Sequence, residues 1–438
     1  EALNGIPGNK YISQIDENTS PGYGLSGKKS VMLDITYKED TGEKVFIPKP
    51  ELVEDIEHII DNASKGISTN HIVKTAVKVE SVEVDPETLR PVKDKNRIFM
   101  VHPMGAFLAV KCYAMPVLEF LMVFNTTMET AVGMNVTNYD WDALYKWLTD
   151  YSHDRIIATD YKGFDTSIDI QVMLQVSSIF MYIALCIGYT EEQALTLGHL
   201  VYDIGRCTML FHGALLDVAG WNPSGTLITV AMNGIPNSLY LRCAFFDEQR
   251  RKGKGLLGFF RQQHRSFRDV VRAATLGDDL ITSNKDDSFS QVEFARFCDS
   301  IGLKLTSYDK GNITSRFCNI KEVDFLKRKF RYEPRVDAVT APLALTSIYK
   351  SMCLVNDSET DLKTIMLQNM DGALREFARH DEDTFNHERE FLQGVAENLG
   401  VTHMIPHLYW SYDQWWEEFK SKYYSDDTFD ENKLTNSG

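Results

Sequence analysis

The sequence predicts an α+β chain in which an antiparallel sheet is backed by helices, and three observations carry that expectation. Val270 to Leu276 and Leu280 to Ser283 are strand-like runs joined by Gly277-Asp278-Asp279, residue types suited to a tight β-hairpin. Arg155-Ile156-Ile157-Ala158-Thr159 is an apolar, partly β-branched run ending on Asp160, which reads as a buried strand. Met104 to Val123 and about Ser167 to Ile187 are apolar stretches of helical length.

The remaining elements follow in order. Lys44 to Ile47 and His71 to Val79 read as short strands, and Ser20-Pro21-Gly22-Tyr23-Gly24 as a turn-rich loop. Asn222-Pro223-Ser224-Gly225 is a turn leading into a helical stretch, with Ser224 a candidate N-cap, and Pro236 should kink or end that helix. Beyond about Arg331 the chain turns helical and polar, and Asp426 to Gly438 is an acidic tail. The longest apolar stretch, Ile170 to Gly188, is interrupted by Gln171, Gln175, Ser177 and Ser178, so it reads as a buried helix and no transmembrane segment is expected.

With 438 residues and 43% hydrophobic composition the chain can bury a large core or several sub-domains. A formal charge of −16 weighs against a nucleic-acid partner without excluding one, because a groove can be basic on an acidic protein. The seven cysteines are dispersed, with no CxxC pair and no zinc spacing, which suits reduced thiols. The chain opens on Glu1 with no initiator Met and no signal-peptide pattern, as a piece cut from a polyprotein or longer chain would.

Phosphoryl and nucleotidyl transfer require the charge on the attacking and leaving oxygens to be neutralised, commonly by two divalent ions about 3.5–4 Å apart held by aspartates from separate elements. Asp160, with Asp165 five residues on, and the Asp278-Asp279 turn are the candidate ligands. Each signal is weak alone, and their order along the chain gives them force. Thr229 and Asn233 are four apart and share one helix face, where an Asn amide and an Asp carboxylate together can bond a ribose 2′-hydroxyl. The plainer reading of that stretch is a capped helix with two exposed polar residues.

At this point the chain resembles the RNA-dependent RNA polymerases of positive-strand RNA viruses, most closely those of the picornavirus-like order, over about Asn18 to Phe330. Ser20, Gly22 and Tyr23 are similar to the family's loop through which template enters. Lys78, Arg90, Lys93, Lys95 and Arg97 fall in the basic segment that binds the incoming triphosphate. Asp160 to Asp165 resembles motif A; Ser224, Gly225, Thr229 and Asn233 motif B; Gly277-Asp278-Asp279 motif C. Thr306 to Lys310 resembles motif D, and Phe325, Leu326, Lys327 and Arg328 the primer grip of motif E.

The resemblance implies a right-hand polymerase fold: fingers at 1–117 with an insertion at 205–221, an antiparallel palm at 118–204 and 222–333, and a helical thumb at 334–438. It implies two Mg²⁺ (or Mn²⁺) ions on Asp160, Asp278 and Asp279, ribose sensing by Asp165, Ser224 and Asn233 with Thr229 in support, and Lys310 as proton donor to pyrophosphate. The implied partners are template and primer RNA, NTPs, a protein primer and other viral replication proteins, and the implied location is the host cytoplasm at replication complexes on membranes. Relatives have roughly a further hundred residues before the Ser20 loop, so the chain reads as N-terminally truncated. A reverse transcriptase, which shares the palm, and a catalytically silent RNA-binding module are the alternatives.

Two further clusters have two readings each. Arg250-Arg251-Lys252-Gly253-Lys254, with Arg261, Arg265 and Arg268, either follows a phosphate backbone or is a solvated loop. Tyr409, Trp410, Tyr412, Trp415 and Trp416 could stack on RNA bases, with packing inside a helical sub-domain the favoured reading.

Overall fold

The computed structural model describes residues 1–78, 97–253, 265–354 and 360–423. In chain order the elements are β1 (Leu33–Tyr37), β2 (Lys44–Pro48), α1 (Pro50–Ser64), β3 (Ile72–Lys78), β4 (Arg97–Val101), α2 (Met104–Val123) and α3 (Tyr139–Thr149). Then come β5 (Ile156–Tyr161), α4 (Ile170–Cys186), α5 (Glu191–Ile204), β6 (Arg206–Phe211), β7 (Ala214–Ala219) and α6 (Thr229–Lys252). A short α7 (Phe267–Val270) leads into β8 (Val271–Leu276), β9 (Asp279–Asn284), α8 (Gln291–Ser300) and β10 (Leu305–Ser307). β11 (Arg331–Glu333), β12 (Ala338–Thr340), α9 (Leu345–Cys353), α10 (Leu362–Phe377), α11 (Glu382–Asn398) and α12 (Tyr412–Tyr423) follow.

The sheet that matters most has the order β10-β5-β9-β8, antiparallel throughout. Within it, β5 opens on the apolar run Ile156-Ile157-Ala158 because both of its faces are covered. Along β5, Ile157 and Tyr161 join one core with α2, α4 and α6, while Ile156 and Ala158 join another with Trp141 and Ile281. Alternate side chains point to opposite faces, so a strand between two cores has no polar side to show.

A second sheet, β4-β3-β6-β7, gathers residues 72–101 with residues 206–219, and β3 and β6 pair in parallel. α2 is long and apolar enough to cross a membrane, yet Ala109, Ala114 and Val117 are fully buried and its Lys111 ammonium donates to the Ser13 carbonyl. It is a core helix here. α9 to α12 close around a separate core that contains Leu374, Phe377, Tyr412, Trp415 and Trp416. Those last three aromatics are packed inside rather than offered to a ligand, whereas Tyr409 is exposed.

Several expectations need correction. Pro236 does not end α6, which runs through it to Lys252. The lost backbone bond costs about 3 kcal/mol, and burial of Met232, Asn237, Tyr240 and Leu241 on the same helix offsets it. α6 starts at Thr229, five residues beyond Ser224, so Ser224 is not its N-cap. The expected boundary at 117/118 falls inside α2, and that at 333/334 falls inside the β11–β12 hairpin. Polar helices do follow Arg331, but only after that hairpin. The acidic tail lies outside the described residues.

Trp141 on α3 is fully buried and stacks on Phe330 with centroids 4.8 Å apart. Its neighbour Asp142 accepts the Val339 backbone N–H at 2.8 Å, joining α3 to β12. Trp141→Ala should lower unfolding free energy by roughly 3–5 kcal/mol, read as a shifted urea midpoint with little change in slope.

Candidate active site

The β8–β9 hairpin closes on the pair Leu276↔Asp279, leaving a two-residue loop of Gly277 and Asp278. Gly277 has φ +64°, a conformation at the first loop position that costs glycine nothing and suits a hairpin turn. Asp278 and Asp279 are thereby held at the tip. β5 lies beside β9 in the register Thr159↔Leu280, so Asp160 sits one residue beyond that pair, next to the turn.

The proximity of these carboxylates contributes to the weakened acidity of Asp279. Burial, then the charges of Asp278, Asp160 and Asp324, raise the Asp279 carboxyl to about 6, against a weaker opposing pull from Lys327. Lys310 reaches toward the Asp160 carboxylate, Nζ to Oδ2 3.6 Å, from the turn after β10, which pairs Thr306 with Asp160.

Among the described residues no three His, Cys, Asp or Glu side chains are gathered closely enough to hold a metal ion by themselves. The expected ligands Asp160, Asp278 and Asp279 are therefore neighbours but not a closed cage. The donors they offer are carboxylate oxygens, the type that hard divalent cations take. An accumulation of carboxylates with one acid pushed up to about 6 fits such an ion.

α6 supplies the second half of the site. Asn233 Nδ2 donates to Asp165 Oδ1 in a short contact, and Asn222 Nδ2 donates to Asn233 Oδ1 at 2.7 Å and to the Thr229 carbonyl at 2.9 Å. The Asn222 backbone N–H in turn donates to the Asp165 carbonyl at 2.7 Å. Asp165 and Asn233 are thus brought together as expected. Thr229 is not aimed at them: its hydroxyl is committed to Thr226 and to the Pro223 carbonyl. Ser224 is exposed in the turn. Gly225 lies against β4, where a Cβ would meet the Met100 carbonyl at 2.0 Å.

On the same side, Gly22 has φ +91° and abuts the His102 carbonyl, which a Cβ would meet at 2.3 Å. The Ser20–Tyr23 loop and the Gly225 turn therefore both rest on the β4 segment, with Ser20 Oγ accepting the Gly22 N–H and Tyr23 exposed. Lys78 and Arg97 are opposite each other at the ends of β3 and β4. Arg90, Lys93 and Lys95 lie outside the described residues.

The Phe325–Arg328 segment is a tight hairpin with Leu326 and Lys327 both at positive φ. Lys327 is exposed and feels Asp279. Arg328 departs from the expected primer contact. Its guanidinium makes a bidentate pair with Glu376 of α10 at 2.9 and 3.0 Å and donates to the Ala341 carbonyl. Phe325 is likewise buried. The basic run is also internally neutralised: Arg250 and Arg251 pair with Asp247, Lys252 with Glu248, Arg265 with Asp286 and Arg268 with Glu129. Lys254 and Arg261 lie outside the described residues.

Sequence reasoning missed Asn222 and Asn237. Asn237 is fully buried under the turn and donates to its carbonyls. It continues the four-residue spacing of Thr229 and Asn233, which was the available signal.

A polymerase titled "Sicinivirus 3Dpol RNA dependent RNA polymerase" matches this structure with TM-score 0.74 at 19% identity, covering 96% of this chain and 81% of that one. The fold is that of a right-hand polymerase. The family model for viral RNA-dependent RNA polymerase matches residues 1–356, and the chain belongs to that family. It is 26% identical to the replicase polyprotein of cricket paralysis virus over 93% of this chain, and 27% identical to the RNA1 polyprotein of Satsuma dwarf virus over 90%. It spans only 23% and 18% of those relatives' lengths. The family's enzymes are RNA-directed RNA polymerases, which take an RNA template and nucleoside triphosphates and depend on divalent metal.

The upward pKa shift of Asp279, caused first by burial and then by the neighbouring carboxylates, has a definite consequence for stability. Its unfolded value is near 4, so the stability that comes from protonation in the folded state is present below about pH 4 and is lost as pH rises through about 6. Without metal, Asp279→Asn should melt higher than the parent at about pH 8, and the gap should close by about pH 4. Thermal melts in chelator across that range check it.

Proposed function

We propose that this chain carries out template-directed nucleotidyl transfer, adding nucleoside monophosphates to an RNA 3′ end in viral genome replication and transcription. The observation that carries the reading is the meeting of Asp160 with the Asp278-Asp279 turn at the ends of adjacent strands. Two Mg²⁺ or Mn²⁺ ions held by Asp160 and Asp278, with Asp279 alongside, supply charge neutralisation at the attacking and leaving oxygens when bound.

The chain's own residues do the rest. Asp165 and Asn233, joined by their hydrogen bond, present a carboxylate and an amide to the ribose hydroxyls, with Ser224 and Gly225 at the turn beside them. Lys78, Arg97 and the basic residues between them neutralise the triphosphate. Lys310, exposed and near Asp160, donates a proton to the leaving pyrophosphate. Lys327 contacts primer phosphate, with Leu326 beside it, while Arg328 braces that hairpin from behind.

In domain terms, the β10-β5-β9-β8 sheet forms the palm and α9 to α12 the thumb. The joining of β6 and β7 to β3 and β4 supports assigning 205–221 to the fingers with the N-terminal part. A protein primer, other replication proteins and a site on host membranes belong to the same proposal.

Asp278→Ala should reduce primer extension on an RNA template by more than about a thousandfold while leaving the circular dichroism spectrum unchanged. Continued synthesis by that variant would sink the assignment. The parent should prefer rNTPs to dNTPs, and Asn233→Ala should narrow that preference by about tenfold. A parent that prefers dNTPs would instead be a reverse transcriptase.

A further inference from the structure

The acidic hairpin tip poses a mechanical problem. A two-residue loop beginning with glycine is easily deformed, and its carboxylates repel each other and Asp160. Opening the tip would relieve that repulsion. Something has to hold the loop down, and it cannot be a counter-charge that competes with the metal.

Asn237 meets that requirement. Its side chain is fully buried, and Nδ2 lies 3.3, 3.0 and 3.5 Å from the carbonyl oxygens of Gly277, Asp278 and Asp279. Its Oδ1 accepts the Tyr161 hydroxyl at 3.1 Å. That second bond decides which way the amide faces. A phenol near a carboxamide oxygen keeps the NH₂ toward the three carbonyls, whereas the flipped amide would set oxygen against oxygen.

Tyr161 directly follows Asp160 on β5, buried against Phe164 with ring centroids 4.3 Å apart. The path Tyr161–Asn237–turn therefore ties the first aspartate's strand to the other two carboxylates through α6, separately from the ladder between β5 and β9. α6 is close enough to reach because Gly234 has no side chain; a Cβ there would stand 3.1 Å from Thr275 Oγ1.

We propose that Asn237, oriented by Tyr161, is a positioning residue that holds the Gly277-Asp278-Asp279 turn against its own repulsion, and so sets the affinity of the site for divalent metal. The inference rests on the polymerase reading but is tested apart from it. Mn²⁺ titration followed by electron paramagnetic resonance reads binding to the parent and variants without turnover. Primer extension by the parent separately tests the polymerase reading.

Asn237→Leu should weaken Mn²⁺ binding by about tenfold and Tyr161→Phe by about threefold, magnitudes typical of lost neutral hydrogen bonds. The double variant should be no weaker than Asn237→Leu, because Tyr161 acts only through the amide. In extension assays the Mg²⁺ requirement should rise while KM for NTP at saturating metal stays put. Were Asn237→Leu to bind Mn²⁺ like the parent, or the two losses to multiply in the double variant, the proposal would be overturned. Should Asn237→Leu not fold, Tyr161→Phe alone decides: unchanged Mn²⁺ binding overturns the proposal, and a threefold loss sustains it.

Discussion

The structure is arranged around one electrostatic constraint: acidic side chains from two strands must share the end of a sheet before any cation arrives. At Asp279, burial first and then the neighbouring carboxylates raise the carboxyl to about 6. The folded core opposes their repulsion by making the supporting strands rigid. β5 is buried on both faces and β9 lies between β5 and β8, so neither strand can retreat without exposing apolar surface. The two lysines nearest the carboxylates, Lys310 and Lys327, both sit in tight turns at positive φ, +65° and +59°. A non-glycine residue held there costs roughly 1–2 kcal/mol, a strain that brings cationic side chains to the site while leaving them exposed to meet phosphate.

α6 is the rod that links the other parts. Its residues 229, 233 and 237 recur every four positions and serve three different ends: Thr229 closes the turn before the helix, Asn233 engages Asp165, and Asn237 sits under the hairpin tip. A proline inside this helix is tolerated because the neighbouring turns are deeply buried.

This division of labour explains what was legible in the sequence. The strands and the hairpin could be read because apolar runs and a Gly-Asp-Asp turn are local signals. The pairing of Asp165 with Asn233 could be read because motif order supplied the long-range contact that spacing alone does not. For Asn237 the four-residue spacing marked the helix face but not the partner, which depends on where the β8–β9 turn lands. The Arg328–Glu376 pair was out of reach for the same reason: the two residues are 48 apart in sequence and belong to different elements. The pairing of Arg250 and Arg251 with Asp247 was within reach, because three- and four-residue spacing on a helix makes such neighbours.

The formal charge of −16 is the feature most at odds with an RNA-binding protein, and the family's dependence on divalent metal offers a resolution. Asp160, Asp278 and Asp279 lie together at one end of the β10-β5-β9-β8 sheet, and a hard divalent ion held there by carboxylates would keep coordination positions for other oxygen donors. A divalent ion is the largest local charge wherever it sits, and it inverts the sign of the field around it. An acidic patch that would repel a triphosphate in the bare protein would attract one once metal is bound. Were substrate phosphates to complete the coordination shell, metal and nucleotide would each raise the other's affinity by the same factor. A long-range basic surface is then unnecessary at the reacting centre: charge complementarity is created locally, only with both partners present, by the same aspartates that the rest of the fold holds together.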